Sequence, residues 1–157
     1  MNRFSLIIFI SLLGFQMTQC SSGDVKGDPS LSIVNDLNKQ LETLEIEGFE
    51  GNKTTLSDKL YKEWEPKGIP VLKEIIPKIP EGYALKVTGH ADPYGGEEAA
   101  KKIADGRAKH IRDRVAKALG IEGSKLETKN YGANEYEQEK NQSISKNRRV
   151  EFQIYKQ

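Results

Sequence analysis

The sequence predicts an α+β fold, a mixed β-sheet covered by helices on one side, and three observations carry that reading. Tyr83, Leu85, Val87 and Gly89 alternate with Ala84, Lys86 and Thr88, the two-residue period of a half-buried strand. Ala99, Ile103, Ala108, Ile111, Val115 and Leu119 then recur near helical spacing, so a long helix is predicted from about Glu97 to Ala118, closed by Gly120 in the left-handed cap position. Val150, Phe152 and Ile154 alternate with Glu151, Gln153 and Tyr155 as a last strand. With a weaker strand and helix before them, these elements run in βαβαββ order, which buries one sheet face under helices.

At 157 residues, 36% apolar and 30% charged, the chain suits one small globular domain. Its 24 Lys and Arg stand against 23 Asp and Glu, so no chain-wide basic field exists to hold nucleic acid by counterion release, and nucleic acid is not an expected partner. Met1-Asn2-Arg3 and the largely apolar run from Phe4 to Phe15 form a charged n-region and an h-region of signal-peptide size. As a helix that run reaches only about 18 Å at ~1.5 Å per residue, short of the ~30 Å hydrocarbon core. Residues 1–19 are therefore read as an export signal rather than a permanent span.

The single cysteine, Cys20, follows directly and has no internal disulfide partner. Met17-Thr18-Gln19 before it resembles a bacterial lipobox, with Gln19 where Gly, Ala or Ser is usual, a looser pattern similar to that of spirochaete lipoproteins. Lipidation of Cys20 is the expectation. Acyl chains contribute about 0.8 kcal/mol per buried methylene and hold a protein on a bilayer without a spanning helix; the alternative is an exported protein with a spare thiol. Residues 20–30 are rich in Gly, Ser and Asp, end in Pro29-Ser30 and contain one aliphatic residue, Val25, the composition of a flexible tether.

From there the spacing Leu31, Val34, Leu37, Leu41, Leu44 predicts a short amphipathic helix over 31–43 with Ser30 as its cap, leaving 44–157 for the main domain. That domain opens with a strand between Glu45 and Gly51, built on Ile46 and Phe49. A second helix is predicted from Leu56 or Lys59 to Ile76, broken or delayed by Pro66 and Pro70. Pro77 to Gly82 forms a turn. After the long helix, a third strand is predicted between Leu126 and Tyr131, then a polar loop from Gly132 to Lys146.

The chemistry concentrates in Lys86 to Gly96, which places Asp92 just beyond a strand, in Arg107-Ala108 fifteen positions later, and in Asn147-Arg148-Arg149-Val150-Glu151 at the last strand. An acid and a base at separate element ends suit a ligand carrying both charges. Without a ligand the same pair is an ordinary ion pair or cap, worth about 0–1 kcal/mol at a surface. His90 and Asp92 at i and i+2 invite a metal reading, but His110, the other histidine, falls mid-helix and no cysteine is left for zinc. No metal and no cofactor are expected, and His90 is read as orienting the loop. An enzyme is not expected either, since no paired carboxylates, Cys–His pair or metal-assisted base is evident. Glu97-Glu98 begin a helix, where the macrodipole favours acids, and Gly95-Gly96 lacks the Lys-Ser/Thr of a phosphate loop.

Taken in order, Val87-Thr88-Gly89-His90-Ala91-Asp92, Gly95, Arg107-Ala108, Gly120-Ile121, Tyr131-Gly132 and Asn147-Arg148-Arg149-Val150-Glu151 resemble the OmpA-like peptidoglycan-binding domain over roughly Leu44 to Tyr155. The whole layout, from lipobox through tether to domain, is similar to small OmpA-like outer-membrane lipoproteins of pathogenic spirochaetes. The resemblance implies that Asp92 and Arg107 grip the diaminopimelate of the peptidoglycan stem, whose free centre carries an ammonium and a carboxylate. Arg148 and Arg149 match the family's paired arginines. Strand alternation puts only Arg149 on the face opposite Val150, and either arginine could meet a stem carboxylate, support Asp92, or pair with an acid such as Glu151 or Asp105. Two departures stand out: Ala100 where the family usually has Asn, and Ile103-Ala104 where it has Leu-Ser. The implied protein is lipid-anchored at the outer membrane and joins it to the cell wall; a surface-exposed adhesin binding host proteins on the same scaffold is the alternative, and a motor-stator anchor is disfavoured by the lack of a spanning helix.

Overall fold

The computed structural model describes residues 29–93, 95–130 and 144–157. The predicted leader, Cys20 and nearly all of its tether, together with Tyr131 and most of the polar loop from Gly132 to Lys146, lie outside them. The described elements are α1 (Pro29–Leu41), α2 (Asp58–Ile75), β1 (Tyr83–Gly89), α3 (Glu97–Leu119), β2 (Glu127–Asn130) and β3 (Val150–Lys156), with short 3-10 turns between several of them.

The sheet is mixed, in the order β2-β1-β3. β1 runs parallel to β2, from Lys86 opposite Glu127 to Gly89 opposite Asn130, because α3 carries the chain back between them. β1 is antiparallel to β3, with Leu85 opposite Ile154, Val87 opposite Phe152 and Gly89 opposite Val150. Those six positions form one face. The apolar five are buried, and the helices pack on them. Alternation in β3 is as predicted, with Val150, Phe152 and Ile154 buried and Gln153 exposed between them. The α+β reading therefore holds, with helices against the apolar face.

The predicted first strand does not form as a ladder. Ile46 makes a single antiparallel bridge to Val150, with Ile46 N–H donating to Val150 O and Val150 N–H to Ile46 O, both at 2.9 Å. Ile46 and Phe49 are both buried as expected, but they lie three apart, an odd separation that the two-residue period of a strand cannot put on one face. Further along the same edge, Asn38 of α1 replaces a neighbouring strand: its Oδ1 accepts from Ile154 N–H at 2.7 Å and its Nδ2 donates to Ile154 O at 3.0 Å.

α1 starts at Pro29, so Ser30 lies inside the helix rather than capping it. Proline at a first helical position is favoured, since its φ is already helical and the missing N–H would be unpaired there. Val34, Leu37 and Leu41 face the core, while Leu31 is exposed. α2 is continuous through Pro66 and Pro70, against the predicted break or late start. The two prolines lie four apart on one exposed stripe, so the carbonyls they leave unpaired one turn back sit on the side open to water, while Tyr61, Ile69, Leu72 and Ile75 bury the opposite side. Ser57 caps this helix, its hydroxyl accepting from Leu60 N–H.

α3 runs from Glu97 to Leu119 and ends at Gly120 with φ +68°, as the spacing predicts. It comes unusually close to β1 at Gly89: a β-carbon there would overlap the Ala104 carbonyl oxygen and lie 3.0 Å from Ala108 N. This contact sets the distance between helix and sheet next to Arg107. Among the described residues no helix is long and apolar enough to cross a membrane.

Candidate functional site

Asp92 lies three residues beyond the end of β1, in a segment held down by His90 N–H donating to Arg149 O at 3.0 Å. The carboxylate is 7% exposed. Its Oδ1 has no hydrogen-bond partner among the described residues, and its Oδ2 is 3.5 Å from Arg148 Nε. A buried acceptor without a donor costs about 1–3 kcal/mol, more when charged, so the arrangement is unfavourable to folding. Burial raises the carboxyl's pKa against the opposing pull of Arg148 and Arg107.

Beneath this loop Ala91, Ala100 and Ala104 form a small apolar cluster with Ile103 against it. Ala100 and Ala104 are fully buried. The three residues that depart from the family pattern, Ala100, Ile103 and Ala104, thus support the Asp92 loop by packing.

Arg107 is the eleventh residue of the 23-residue α3, close to three turns in, so the base lies within the helix rather than at the element end expected for it. It is completely buried. Nη1 donates to His90 O at 2.7 Å, Nε to Lys53 O at 2.9 Å, and Nη2 to Glu50 O at 3.4 Å and to Gly51 O. The guanidinium also lies 5.2 Å from the centre of the Phe49 ring. Burial draws its pKa down to about 10, with Asp92 pulling upward and Arg148 downward, and at neutral pH it stays cationic.

The paired arginines divide. Arg148 turns toward Asp92. Arg149 Nε lies 2.7 Å from both Glu45 Oε1 and Glu151 Oε1, and its Nη1 donates to Lys146 O at 3.2 Å. Glu151 in turn faces the buried His90, Oε2 to Nε2 at 3.2 Å. Asp105, the other acid considered for these arginines, pairs with Lys109 at 2.7 Å. His90 therefore connects the Asp92 segment to β3. Among the described residues no group of His, Cys, Asp and Glu is arranged to hold a metal ion.

The two acids around Arg149 shift in opposite directions. Burial raises Glu45 more than Arg149 lowers it, with Glu151 adding repulsion. Burial also opposes ionisation of Glu151, but the hydrogen bond and electrostatic pull of His90, with those of Arg149, outweigh it and bring the carboxyl down to about 2. A depressed folded-state value stabilises above the unfolded carboxylate range and is lost as pH falls through the folded value. The thermal midpoint is accordingly expected to drop from about pH 4.5 toward pH 2, and Glu151→Gln to lower the neutral-pH midpoint and flatten that acid limb. An unchanged acid limb in the variant would place the acid sensitivity elsewhere.

The contacts that sequence reasoning missed are the carbonyls of Glu50, Gly51 and Lys53 and the acid Glu45. The carbonyls leave no trace in residue identity, since any residue supplies one. Gly106 was the available signal: a β-carbon there would lie 2.8 Å from Thr54 Cβ, so a glycine beside Arg107 marks where the 50–54 segment rests on α3.

Comparison with known proteins agrees with this architecture. The OmpA family model matches residues 48–151, and the chain belongs to that family. Among solved structures, the peptidoglycan-associated lipoprotein from Burkholderia pseudomallei superposes with a TM-score of 0.55 at 20% identity, covering 78% of this chain and 99% of that one. The OmpA-like domain of FopA1 from Francisella tularensis gives 0.51 at 24% identity, covering 71% of each. Both are likenesses of fold. No curated protein matches by sequence.

Proposed function

We propose that this protein is an outer-membrane lipoprotein, anchored through acylated Cys20, whose domain binds peptidoglycan non-covalently through the diaminopimelate of the stem peptide and so ties membrane to wall. The observation that carries the reading is Asp92, a buried carboxylate with one oxygen lacking a donor among the described residues, flanked by arginine. Such a group is unfavourable alone and is satisfied by an incoming ammonium. Diaminopimelate brings that ammonium with a carboxylate beside it, and the positive side of the site, drawn from Arg107, Arg148 and Arg149, meets the carboxylate. Family membership and the likeness to a peptidoglycan-associated lipoprotein support the same reading. It is a reading of binding and mechanical coupling, with no reaction and no cofactor.

The full chain in mild detergent is expected to cosediment with purified diaminopimelate-type sacculi and to be released by excess free diaminopimelate but not by lysine. Failure to sediment, or release by neither amino acid, removes the assignment. Mass spectrometry of the mature amino terminus reads the anchor directly, the expected result being a diacylglyceryl group on Cys20.

A further inference from the structure

Among the described residues, Leu31 and Ile33 are the only large apolar side chains left exposed, at 52% and 47%. Singly exposed apolar residues are ordinary at a protein surface, but these two stand together in the first five residues of α1. At about 100° per residue they lie on either side of the stripe that buries Val34, Leu37 and Leu41. The apolar surface of α1 therefore widens at its amino-terminal tip. The course of the chain fixes which end of the domain this is. Asn38 bonds to Ile154 and, further along, Ile46 bonds to Val150, so α1 and the segment after it run against β3. The tip lies toward Lys156, which pairs with Tyr83 at the start of β1, whereas Gly89, Val150 and the Asp92 segment lie at the other end of the strands.

Resting on the acylation of Cys20 proposed above, we infer that Leu31 and Ile33 seat the tip of α1 in the lipid surface that holds the acyl chains, so that the domain stands with its Asp92 end turned away from that membrane. Nine residue steps separate Cys20 from Pro29, which at no more than ~3.6 Å each cannot span more than about 32 Å. The tip is thus the part of the described domain nearest the anchor along the chain. Tethering makes its contact with lipid an intramolecular step, which a small apolar area can sustain. Leucine and isoleucine at such a tip enter the boundary between headgroups and acyl chains, ~5–10 Å deep. Two side chains flanking a helix on both sides suit a surface entered end-on, whereas a groove in a partner protein takes one continuous helix face. A second copy of the chain fits no better, because two half-exposed side chains fall well short of the ~800 Å² that each partner gives to a stable interface. A load between wall and membrane then runs lengthwise along β1 and β3, from one end of the sheet to the other.

The test places the full acylated chain in phosphatidylcholine vesicles, with and without lipid brominated near the glycerol end of its acyl chains, which quenches tryptophan emission on contact. Trp64, the only tryptophan, bonds to Leu44 O and stacks on Phe152 inside the domain, so the unmutated protein gives the baseline. Leu31→Trp and Ile33→Trp are each expected to lose emission to the brominated lipid beyond that baseline. Asp36→Trp, exposed on the same helix, and Glu98→Trp, exposed at the Asp92 end, are expected to stay close to it. Equal quenching at all four positions reports nearness without seating and overturns the inference, as does baseline quenching at both tip positions in an acylated protein. Blue-shifted emission at the tip without quenching puts a second copy of the chain there and overturns it too. Mass spectrometry of the same sample keeps the two readings apart. An unacylated Cys20 removes the anchor and this inference with it, while an acylated but unquenched protein removes this inference alone.

Discussion

Asp92→Asn is expected to release the protein from diaminopimelate-type sacculi while leaving its thermal midpoint unchanged or slightly raised. The substitution keeps shape and removes charge. A charge-assisted hydrogen bond contributes about 1.5–3 kcal/mol, so the loss in affinity is about 10- to 150-fold. The stability half of the prediction has its own sign argument. Burial raises the folded-state pKa of Asp92, so the ionised form is less favourable in the folded domain than in the unfolded chain, and removing that charge at neutral pH does not destabilise. A residue kept at a cost to folding is the usual mark of a binding site. The same shift predicts that binding fails with acid at a pH above the ordinary aspartate value, as the carboxylate that faces the ammonium is protonated. An Asp92→Asn protein that is still retained on sacculi would move the ligand elsewhere; one that unfolds would make Asp92 a structural ion-pair partner of Arg148.

Gly89→Ala is expected to cost about 3 kcal/mol or more, a large effect for a single added methyl group. Overpacking a core ordinarily costs about 1–3 kcal/mol because side chains can yield. Here the obstruction is backbone: the new β-carbon would overlap the Ala104 carbonyl oxygen, 2.9 Å from Ala104 C and 3.0 Å from Ala108 N. Only movement of α3 as a body relieves it. For a domain of this size that is a fall in midpoint of about 10 °C or more, read by thermal denaturation. Gly120→Ala is the control. There φ is +68° but nothing lies within 4 Å, so the cost is the backbone strain alone, about 1 kcal/mol. Because α3 carries Arg107 three residues beyond Ala104, a Gly89→Ala protein that does fold should also loosen the hydrogen bonds from Arg107 to the Glu50, Gly51 and Lys53 carbonyls. Equal effects of the two substitutions would show that the helix–sheet contact is softer than its spacing implies.

Much of this architecture was legible from local periodicity. α3 with its glycine cap, β1 and β3 appear with nearly their predicted bounds because each pattern reports a face that must be buried, whatever it is buried against. Asp92 was legible for a related reason: an acid just past a strand and before paired glycines sits where the chain turns. The short segments behaved differently. Ile46 makes one bridge rather than a strand, because pairing beyond that point depends on the course of β3 a hundred residues away. Pro66 and Pro70 read as breakers, yet α2 continues through them, since their shared exposed stripe and the buried stripe opposite are properties of the packed helix.

The sequence by itself determined the fold class, the family, and the acid and arginines that gather around one end of β1. Only the tertiary structure decided what each arginine does. Arg107, Arg148 and Arg149 are the same residue type with the same reach, and their roles differ through neighbours that are distant in sequence. Four carbonyls, three of them more than fifty positions away, enclose Arg107; Glu45 and Glu151 hold Arg149; Arg148 faces Asp92, whose other oxygen has no donor among the described residues. A guanidinium takes the acceptors that folding brings within about 3 Å, and residue spacing along the chain does not determine which ones those are.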